Sequence, residues 1–569
     1  MGRCLRYVGY FLAAILVIAS CSWIAPPVRL SSSTVSPAPP TINSEILAGQ
    51  ELVPLATPGP WRDVTQLIGY GDRLWFTNSV AGTNHNSADL YSYDPATQTT
   101  RYEQHLFSQD AGEPVVAEGL LYWPFEDPRF SADLGEYMVT NGERWQWRVL
   151  PEGEAFHVHT MTAHQGMLWA GTGAWAAGLQ RSRDGGQTWE VIYDHPTPPR
   201  QVTRLTELAS LGNTLYGGFT ALQSRAVQLC RWDTDTFKPV EAWPAGKRII
   251  ALTPYRDWLY GINQNLDDSV TLWRTNGQAA EPVAALAGYR IRALATDDSA
   301  LWAISTDPAG AFLWHSVNGV DWMAAYQFED MQPLDLTIFQ GHVYVGARNP
   351  SRQGMLLGPQ PMAQSSTEKA SPAPTVPPLP PGPPPPDSQK VTKAVQQLET
   401  VLAAPATYRD GNTQDNLAQA LLPLAESQTA LAGEQLSQQL DSALPQETAM
   451  LFENNVQEPA TDVVRWYLLW AIGLNGQGRV PIDLLTQPWT TPSNDREKYW
   501  QTVPAAAWTI AQIGQSDRAT LAALIERLSA SEDPLWLTGD IVGALSALTG
   551  QTFGYDSAAW QNWWRSQPT

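Results

Sequence analysis

A recurring pair of side chains dominates the hydrophobic pattern between residues 51 and 360. In each copy an apolar residue precedes an aromatic one, and the spacing between copies is nearly constant. The pairs are Leu74-Trp75, Leu121-Tyr122, Leu168-Trp169, Leu215-Tyr216, Leu259-Tyr260, Leu301-Trp302 and Val343-Tyr344. Successive pairs lie 47, 47, 47, 44, 42 and 42 residues apart. Because neighbouring residues of a strand face opposite sides of its sheet, each pair predicts a strand buried on both faces.

This period predicts an all-β seven-bladed β-propeller over residues 51–360. Repeats of about 40–50 residues that hold several short strands are typical of propellers, in which each sheet packs against its neighbours around an axis. The last repeat is short and ends near Gly358. We therefore expect Glu51 to Thr57 to supply its missing strand and to close the ring, which leaves no long sheet edge exposed.

The pattern changes after residue 390, where apolar residues recur at intervals of three and four. This periodicity predicts an all-α domain over residues 391–569. The predicted helices are Val391 to Leu402, Asn416 to Leu422, Ala460 to Leu474, Val503 to Ile513 and Ala519 to Leu528. Asp517 is a predicted start signal, and Gly476 and Gly514 are predicted stop signals.

Two helical segments of this domain carry small residues that let helices approach closely. Residues 505–514 and 541–550 resemble HEAT-type repeats, and the resemblance implies a helical repeat domain that binds other proteins. Trp560 and Trp564 are four residues apart and share one predicted helix face. We expect them to seal the last helix pair, with an exposed docking face as the alternative.

The first residues have the order of a secretory signal, with Arg3 and Arg6 ahead of an apolar run. The run ends Ile18-Ala19-Ser20-Cys21, which resembles the bacterial lipobox and implies a signal peptide over residues 1–20 and lipid attachment at Cys21. The resemblance places the protein outside the cytoplasm, on a membrane of a bacterial envelope. An uncleaved membrane anchor remains the alternative, because the run is nearly long enough to span a bilayer.

Two Pro-rich segments divide the rest of the chain. Residues 21–50 contain a Ser/Pro tether, and residues 361–390 contain a stretch of prolines that favours extended backbone and predicts a semi-rigid spacer between the two domains. After loss of Cys4 and lipidation of Cys21, Cys230 would be the one cysteine left, so no intramolecular disulfide is expected.

Charge argues against a general nucleic-acid binder. The chain carries 56 acidic and 35 basic residues, which gives a formal net charge of -21. Such a chain repels a phosphate backbone except where basic residues cluster locally.

The third repeat contains a turn of known type. Its sequence runs from Ser182 through Asp184, Gly186 and Thr188 to Trp189, and it resembles the Asp-box, or BNR repeat, of sialidases and related propellers. Glycines allow positive φ in such a turn, and an aspartate accepts backbone hydrogen bonds across it. The expected role is structural, because the boxes of that family shape hairpins away from the active site.

A ring of polar residues is predicted at one mouth of the channel. The position eleven residues before each pair is polar in all seven repeats: Asp63, Asp110, His157, Arg204, Arg248, Arg290 and Gln332. Lys247, Arg292 and Arg200 lie close by in sequence. One interpretation is that these are strand-start residues held by salt bridges or water. The other makes Arg204, Arg248, Arg290, His157, Lys247 and Arg292 candidate docking residues for a carboxylate or an acidic protein segment.

Histidines offer a metal site as an alternative to a purely structural role. His157 and His159 share a strand face, and His164 lies on the following turn. Imidazoles so placed can bind a transition metal. No flanking cysteine or clear acidic ligand completes the set in the sequence, so structural histidines and no metal are the favoured interpretation.

These features favour a membrane-anchored interaction or scaffold protein whose partners are other membrane or envelope proteins. No motif for an enzyme, a nucleotide or another cofactor is found in the sequence. The Asp-box resemblance implies a sialidase-like glycosidase as one alternative, with Arg204, Arg248 and Arg290 as its carboxylate-binding arginines. A propeller that binds envelope glycan or another acidic ligand is a further alternative. A lipid-anchored propeller with a basic face also resembles the photosystem assembly factor of cyanobacteria and chloroplasts, which lacks the helical domain.

Overall fold

The structure is a computed structural model that describes residues 38–47, 51–80, 88–128, 134–150, 155–173, 176–194, 202–222, 226–360, 377–381, 388–402, 420–442, 450–453, 456–487, 502–529, 533 and 535–568. The predicted signal peptide, Cys21 and Arg200 lie outside these residues, as do most of the tether and of the Pro-rich stretch. Within the described part of the chain, no helix is both long and apolar enough to cross a membrane.

Residues 51–360 form a mostly β, propeller-like region. Its first fourteen strands are β1 (Leu52–Ala56), β2 (Asp63–Tyr70), β3 (Arg73–Ser79), β4 (Ala88–Asp94), β5 (Thr99–Leu106), β6 (Ser108–Ala111), β7 (Val115–Ala117), β8 (Leu120–Pro128), β9 (Gly135–Thr140), β10 (Trp145–Leu150), β11 (Val158–His164), β12 (Met167–Gly173), β13 (Ala177–Ser182) and β14 (Glu190–Asp194). The next fifteen are β15 (Thr203–Leu211), β16 (Thr214–Ala221), β17 (Cys230–Asp233), β18 (Thr236–Pro239), β19 (Gly246–Tyr255), β20 (Trp258–Asn265), β21 (Val270–Thr275), β22 (Ala280–Pro282), β23 (Ile291–Thr296), β24 (Leu301–Asp307), β25 (Gly310–Ser316), β26 (Met323–Phe328), β27 (Gln332–Phe339), β28 (His342–Arg348) and β29 (Gly354–Pro359).

Most repeats form one antiparallel sheet each. Strands β2 to β5, β11 to β14 and β23 to β26 make four-stranded sheets in chain order, and β6 to β10 make a five-stranded one. The fourth and fifth repeats differ from the prediction of separate sheets, because a pairing of Thr220 with Arg248 joins them into one eight-stranded sheet. The predicted closing strand is confirmed: β1 pairs with β29, with Leu52 opposite Pro359 and Val53 opposite Gly358.

The apolar-aromatic pairs lie on the second strand of each repeat and link adjacent hydrophobic clusters. Leu121 packs in a cluster with Trp75, whereas Tyr122 packs in the next cluster with Leu168. The same alternation recurs in every repeat, so each cluster holds the aromatic member of one pair and the apolar member of the following pair. Tyr344 of the last pair shares its cluster with Leu74 of the first, which closes the ring of clusters.

The predicted Asp-box turn is held by a compact set of hydrogen bonds. One carboxylate oxygen of Asp184 accepts the backbone N–H of Thr188 at 2.9 Å, and the other accepts the Thr188 hydroxyl at 2.6 Å. Ser182 donates to Asp184 at 2.7 Å and accepts from the N–H of Gly186 at 2.8 Å. Gly186 has φ of 84°, a conformation that favours glycine. Burial opposes ionisation, but the bonds from Thr188 and Ser182 hold the pKa of Asp184 below its usual range.

Replacing Asp184 by alanine should lower the free energy of unfolding by about 1–2 kcal/mol, because several hydrogen bonds are lost from one partly buried turn. Thermal melting of the purified chain measures this. The control is Asp257→Ala, which removes an exposed aspartate from the turn between β19 and β20. Equal melting temperatures for the two variants would contradict a stabilising role of the turn.

The C-terminal region is helical. Its helices are α1 (Ser388–Leu402), α2 (Ala430–Ser442), α3 (Ala460–Asn475), α4 (Thr502–Ile513), α5 (Arg518–Leu528), α6 (Leu535–Thr549) and α7 (Ser557–Ser566), and residues 420–426 are also helical. A hairpin of β30 (Met450–Glu453) and β31 (Val456–Pro459) lies before α3. The predicted cap is confirmed, since the Asp517 side chain accepts the N–H groups of Ala519 and Thr520. Gly476 and Gly514 have the expected positive φ.

The helical region packs directly against the first and second repeats. Trp508 of α4 stacks with Phe107 at 6.1 Å and contacts Trp147 edge-on at 5.2 Å. One hydrophobic cluster joins the helical core with residues of the first repeat. The two regions therefore share an interface in addition to the Pro-rich segment that links them in sequence.

The described part of the Pro-rich stretch also lies against the β region. Asn141 donates to the carbonyl of Pro377 at 2.9 Å, and Arg148 donates to the carbonyls of Pro380 and Pro381 at 3.0 and 2.9 Å. Extended proline-rich backbone makes no hydrogen bonds within the segment, so its carbonyl groups can accept from elsewhere. Here they accept from Asn141 and Arg148. Residues 377–381 therefore act as a strap along the second repeat.

Candidate functional site in the central channel

The inner strands of the repeats lie side by side around the axis and line the channel. They are β2, β6 with β7, β11, β15, β19, β23 and β27. Several carry a bulge at the same place, between Thr65 and Ile68, Val158 and Thr160, Leu205 and Glu207, Ile249 and Ala251, Ile291 and Ala293, and Pro333 and Asp335. A bulge redirects side chains, so polar groups can face the axis next to the buried core positions.

The acidic start of the predicted ring is partly neutralised by an arginine that the sequence analysis did not select. Asp63 is 1% exposed, and Arg348 at the end of β28 donates to its carboxylate at 2.7 Å. Among the described residues no guanidinium pairs with Asp110, and burial followed by the charge of Glu126 raises its pKa to about 7. Gln332 is exposed and accepts from Arg348 at 3.4 Å.

The basic positions differ in how accessible they are. Arg204 is 8% exposed, and its guanidinium lies 3.0 Å from the Nε2 atom of His157. Arg248 is half-buried and Arg290 is exposed. Arg292 sits in the bulge of β23 and donates to the carbonyl of Leu334 at 3.2 Å.

Lys247 differs from Arg248, Arg290 and Arg292 because it has a carboxylate partner. It forms a salt bridge of 2.8 Å with Asp268, on the turn that connects β20 and β21. Among the described residues, Arg248, Arg290 and Arg292 form no salt bridge. We call these three residues the arginine arc.

A second layer lies three residues after each position of the ring, and three of its seven residues are acidic. In repeat order these positions are Gln66, Glu113, Thr160, Glu207, Ala251, Ala293 and Asp335. We call Glu113, Glu207 and Asp335 the acidic layer. Burial, and then the charge of Asp335, raises the pKa of Glu113 to about 8. Burial, and then Glu113, raises the pKa of Glu207 well above its usual value, and burial raises that of Asp335. The channel therefore contains three buried carboxyl groups whose pKa values burial raises above the usual range.

Two histidines and a glutamate meet where the second and third repeats touch. His157 and His159 are 2% and 7% exposed, and their rings stack with centroids 5.3 Å apart. Glu126, near the end of β8, places a carboxylate oxygen 3.8 Å from Nδ1 of His159. One ligand atom from each of the three residues lies within 4.8 Å of the other two. We call Glu126, His157 and His159 the histidine cluster.

Glycine permits this close approach of the two repeats. A Cβ atom on Gly112 would lie 2.4 Å from the carbonyl oxygen of His159. The neighbouring N–H of Glu113 donates to that same carbonyl at 2.8 Å. The register of β11 also shifts between Val158 and Thr160, on either side of His159.

The third sequence-predicted histidine lies elsewhere. His164, at the end of β11, has its Nδ1 atom 2.8 Å from the hydroxyl of Ser210. Burial lowers its pKa. His164 therefore lies outside the histidine cluster, and Glu126 supplies an acidic side chain beside His159 that the sequence did not indicate.

Sequence reasoning missed the acidic layer, Arg348 and Glu126, for different reasons. The acidic layer was detectable, since Glu113, Glu207 and Asp335 keep the repeat spacing three residues after the predicted ring. Arg348 and Glu126 gave no such signal, because each lies on a second strand and reaches the channel only through packing.

Comparisons with known proteins do not assign this chain to a group. No protein family matches the sequence, and no curated protein matches it. Among solved structures, the β-propeller domain of the Trilobed protease from Pyrococcus furiosus has a TM-score of 0.38 and 8% identity, over 55% of this chain and 100% of that one. YCF48 bound to D1 peptide has a TM-score of 0.37 and 14% identity, over 59% of this chain and 100% of that one. At such low scores and identities, these similarities identify neither a family nor a function for this chain.

Proposed function

We propose that this chain is a non-catalytic, membrane-anchored interaction protein whose channel mouth binds an acidic segment of another protein. The observation that carries the proposal is the arginine arc, three guanidinium groups without a described salt bridge in a chain of net charge -21. A guanidinium presents paired donors that match a carboxylate, and low-dielectric channel walls concentrate its field. A partner with a carboxylate-rich or C-terminal segment fits this chemistry.

The proposal includes an architecture of seven blades followed by HEAT-like helices. The ring of hydrophobic clusters supports seven blades, because each apolar-aromatic pair joins one cluster to the next and the last pair returns to the first. The lipobox resemblance at Cys21 supports a lipoprotein of the bacterial envelope. The helical region, held against the first two repeats, offers a second binding surface at a fixed position.

A scaffold fits the channel better than a sialidase-like glycosidase. The resemblance to that family implies three arginines that grip one carboxylate. Here Arg204 is buried against His157, whereas Arg290 is exposed. The three side chains therefore do not present equivalent donors to a single ligand.

Neutralising the arginine arc should abolish binding of an acidic probe. The probe is a fluorescent peptide of alternating glutamate and aspartate with a free C-terminal carboxylate, and binding is followed by anisotropy. We expect the triple change Arg248→Gln, Arg290→Gln and Arg292→Gln to weaken binding about tenfold or more, since each guanidinium contributes charge-assisted hydrogen bonds.

The matched control removes three exposed arginines from outer strands and turns: Arg101→Gln, Arg231→Gln and Arg256→Gln. It changes net charge equally and should leave binding within about twofold, because exposed charges beyond a Debye length are screened. Equal losses in the two triple variants would show that only net charge matters, and unchanged binding in both would remove the arc as a docking site.

A further inference from the structure

Three metal-ligating side chains converge in the wall of the channel, close enough to Arg248 of the arginine arc for its charge to act on His159. The histidine cluster brings two imidazoles and one carboxylate together, with ligand atoms within 4.8 Å of one another. We propose that Glu126, His157 and His159 bind a divalent transition-metal ion. Imidazole with carboxylate is a donor set suited to Zn²⁺, Co²⁺, Ni²⁺ or Cu²⁺, and it disfavours Mg²⁺ and Ca²⁺, which prefer oxygen ligands.

The state of His159 fits the role of a ligand. Burial, followed by the charges of His157, Arg204 and Arg248, lowers the pKa of His159 well below its usual value. A metal binds the neutral ring through a nitrogen lone pair. The nitrogen of His159 that faces the cluster is Nδ1, 3.8 Å from a carboxylate oxygen of Glu126, so Nδ1 is the atom that would bind the ion.

Backbone hydrogen bonds fix the positions of His157 and His159, so only small side-chain movements are needed to bring the ligand atoms around an ion. The carbonyl of His157 accepts from the N–H of Gly173 at 3.0 Å, and that of His159 accepts from Glu113 at 2.8 Å. Two tetrahedral ligands at about 2.05 Å from zinc lie about 3.3 Å apart. The 3.8 Å between His159 and Glu126 is therefore close to the spacing of a bound metal.

Arg204 opposes the ion in two ways. Its guanidinium occupies Nε2 of His157 at 3.0 Å, and its positive charge repels a cation. A metal that uses His157 has to displace this contact. The cluster is thus poised between an arginine-bound state and a metal-bound state, and removing Arg204 should favour the metal.

The experiment titrates purified full-length chain, stripped with chelator, with Co²⁺ and then Zn²⁺. The visible absorption of bound Co²⁺ reports nitrogen and oxygen coordination, and calorimetry with Zn²⁺ gives the dissociation constant. We expect one ion per chain for the wild type. His159→Gln and the isosteric Glu126→Gln should weaken binding about tenfold or more, and Arg204→Met should tighten it.

His164→Gln is the matched control, because it removes a neighbouring histidine that bonds to Ser210 and should leave affinity unchanged. Zn²⁺ should also raise the melting temperature of the wild type and of this control, since a ligand that binds the folded state stabilises it, and should not raise that of Glu126→Gln. Failure of the wild type to bind Co²⁺ or Zn²⁺, or equal affinity in wild type, Glu126→Gln and His159→Gln, would overturn the proposal.

Discussion

Replacing His105 by leucine should destabilise the chain by about 3–5 kcal/mol, the usual loss when one member of a buried ion pair is removed. His105, on β5, places Nδ1 2.8 Å from Asp89 and Nε2 2.9 Å from Asp540 of α6. Both carboxylates have fully buried side chains. Without the imidazolium the two buried carboxylates would lose the positive charge that lies between them at the contact between the β region and the helices.

Chemical denaturation followed by tryptophan fluorescence measures this loss. The control is His315→Leu, which removes a half-buried histidine from β25 and should cost much less. A second variant, Asp540→Asn, keeps the volume of the side chain and removes one charge of the pair. Stabilities of all three variants within about 1 kcal/mol of wild type would show that the ion triad does not hold the two regions together.

Asp89 is the centre of this contact. Besides His105, its carboxylate accepts the indole N–H of Trp61 at 3.0 Å and the hydroxyl of Tyr555 at 2.7 Å. Tyr555 precedes α7 in the helical region, and Trp61 precedes β2. A second polar contact lies nearby, where Glu136 accepts the indole N–H groups of Trp147 and Trp470 at 2.8 and 3.0 Å. The interface is therefore specified by directional bonds as well as by apolar area.

These contacts change what two binding surfaces on one chain can do. If a flexible spacer joined the two regions, each surface would bind its target independently. The second binding event would then be strengthened only by the raised effective concentration. A docked helical region instead keeps a fixed distance to the channel mouth. Under the proposed function, a partner would have to match both surfaces in one geometry, which favours selective binding of a few partners.

Repeat spacing explains how much of the fold the sequence predicts. The apolar-aromatic pairs are regular because each strand must fill two clusters at once, so a single sequence reveals the strands and the closing role of β1. Helix α2 was missed because its buried positions, Ala432, Leu436 and Leu440, form one narrow stripe among glutamines. A stripe of this kind is a weak periodic signal.

Contacts between distant elements explain why most of the site was missed. The contact of α6 with β4 and β5 includes Asp540. In the sequence Asp540 is a single charged residue in a helix of mostly small or apolar residues, so nothing there indicates its partner. Its partner His105 lies 435 positions earlier in the chain, and no repeat relates them. Glu126 likewise joins His157 and His159 only because Gly112 lets two repeats approach. Pairings of this kind follow from the packing and leave no period in the sequence.

Raising the pH from 6.5 to 9 should lower the free energy of unfolding by about 3 kcal/mol through His105 alone. Burial would lower the pKa of this histidine, but Asp540 and Asp89 raise it from 6.5 to about 9. Because the folded state holds its proton more tightly than the unfolded state, the stabilisation is complete below pH 6.5 and is lost as the pH rises towards 9.

Other buried groups also make stability fall with rising pH, so the wild-type curve alone does not isolate His105. Burial raises the pKa of Glu136 to about 7, although its bonds from Trp147 and Trp470 lower it, and its contribution declines between about pH 4.5 and 7. Asp110 and Glu113 in the channel act in the same direction, with pKa values raised to about 7 and 8, largely by burial. His105→Leu retains these groups and removes the histidine. Denaturation of both proteins at pH 6.5, 7.5 and 9 should therefore show a stability difference that is largest at pH 6.5 and shrinks with pH. A constant difference across this range would mean that the charge of His105 does not contribute to docking.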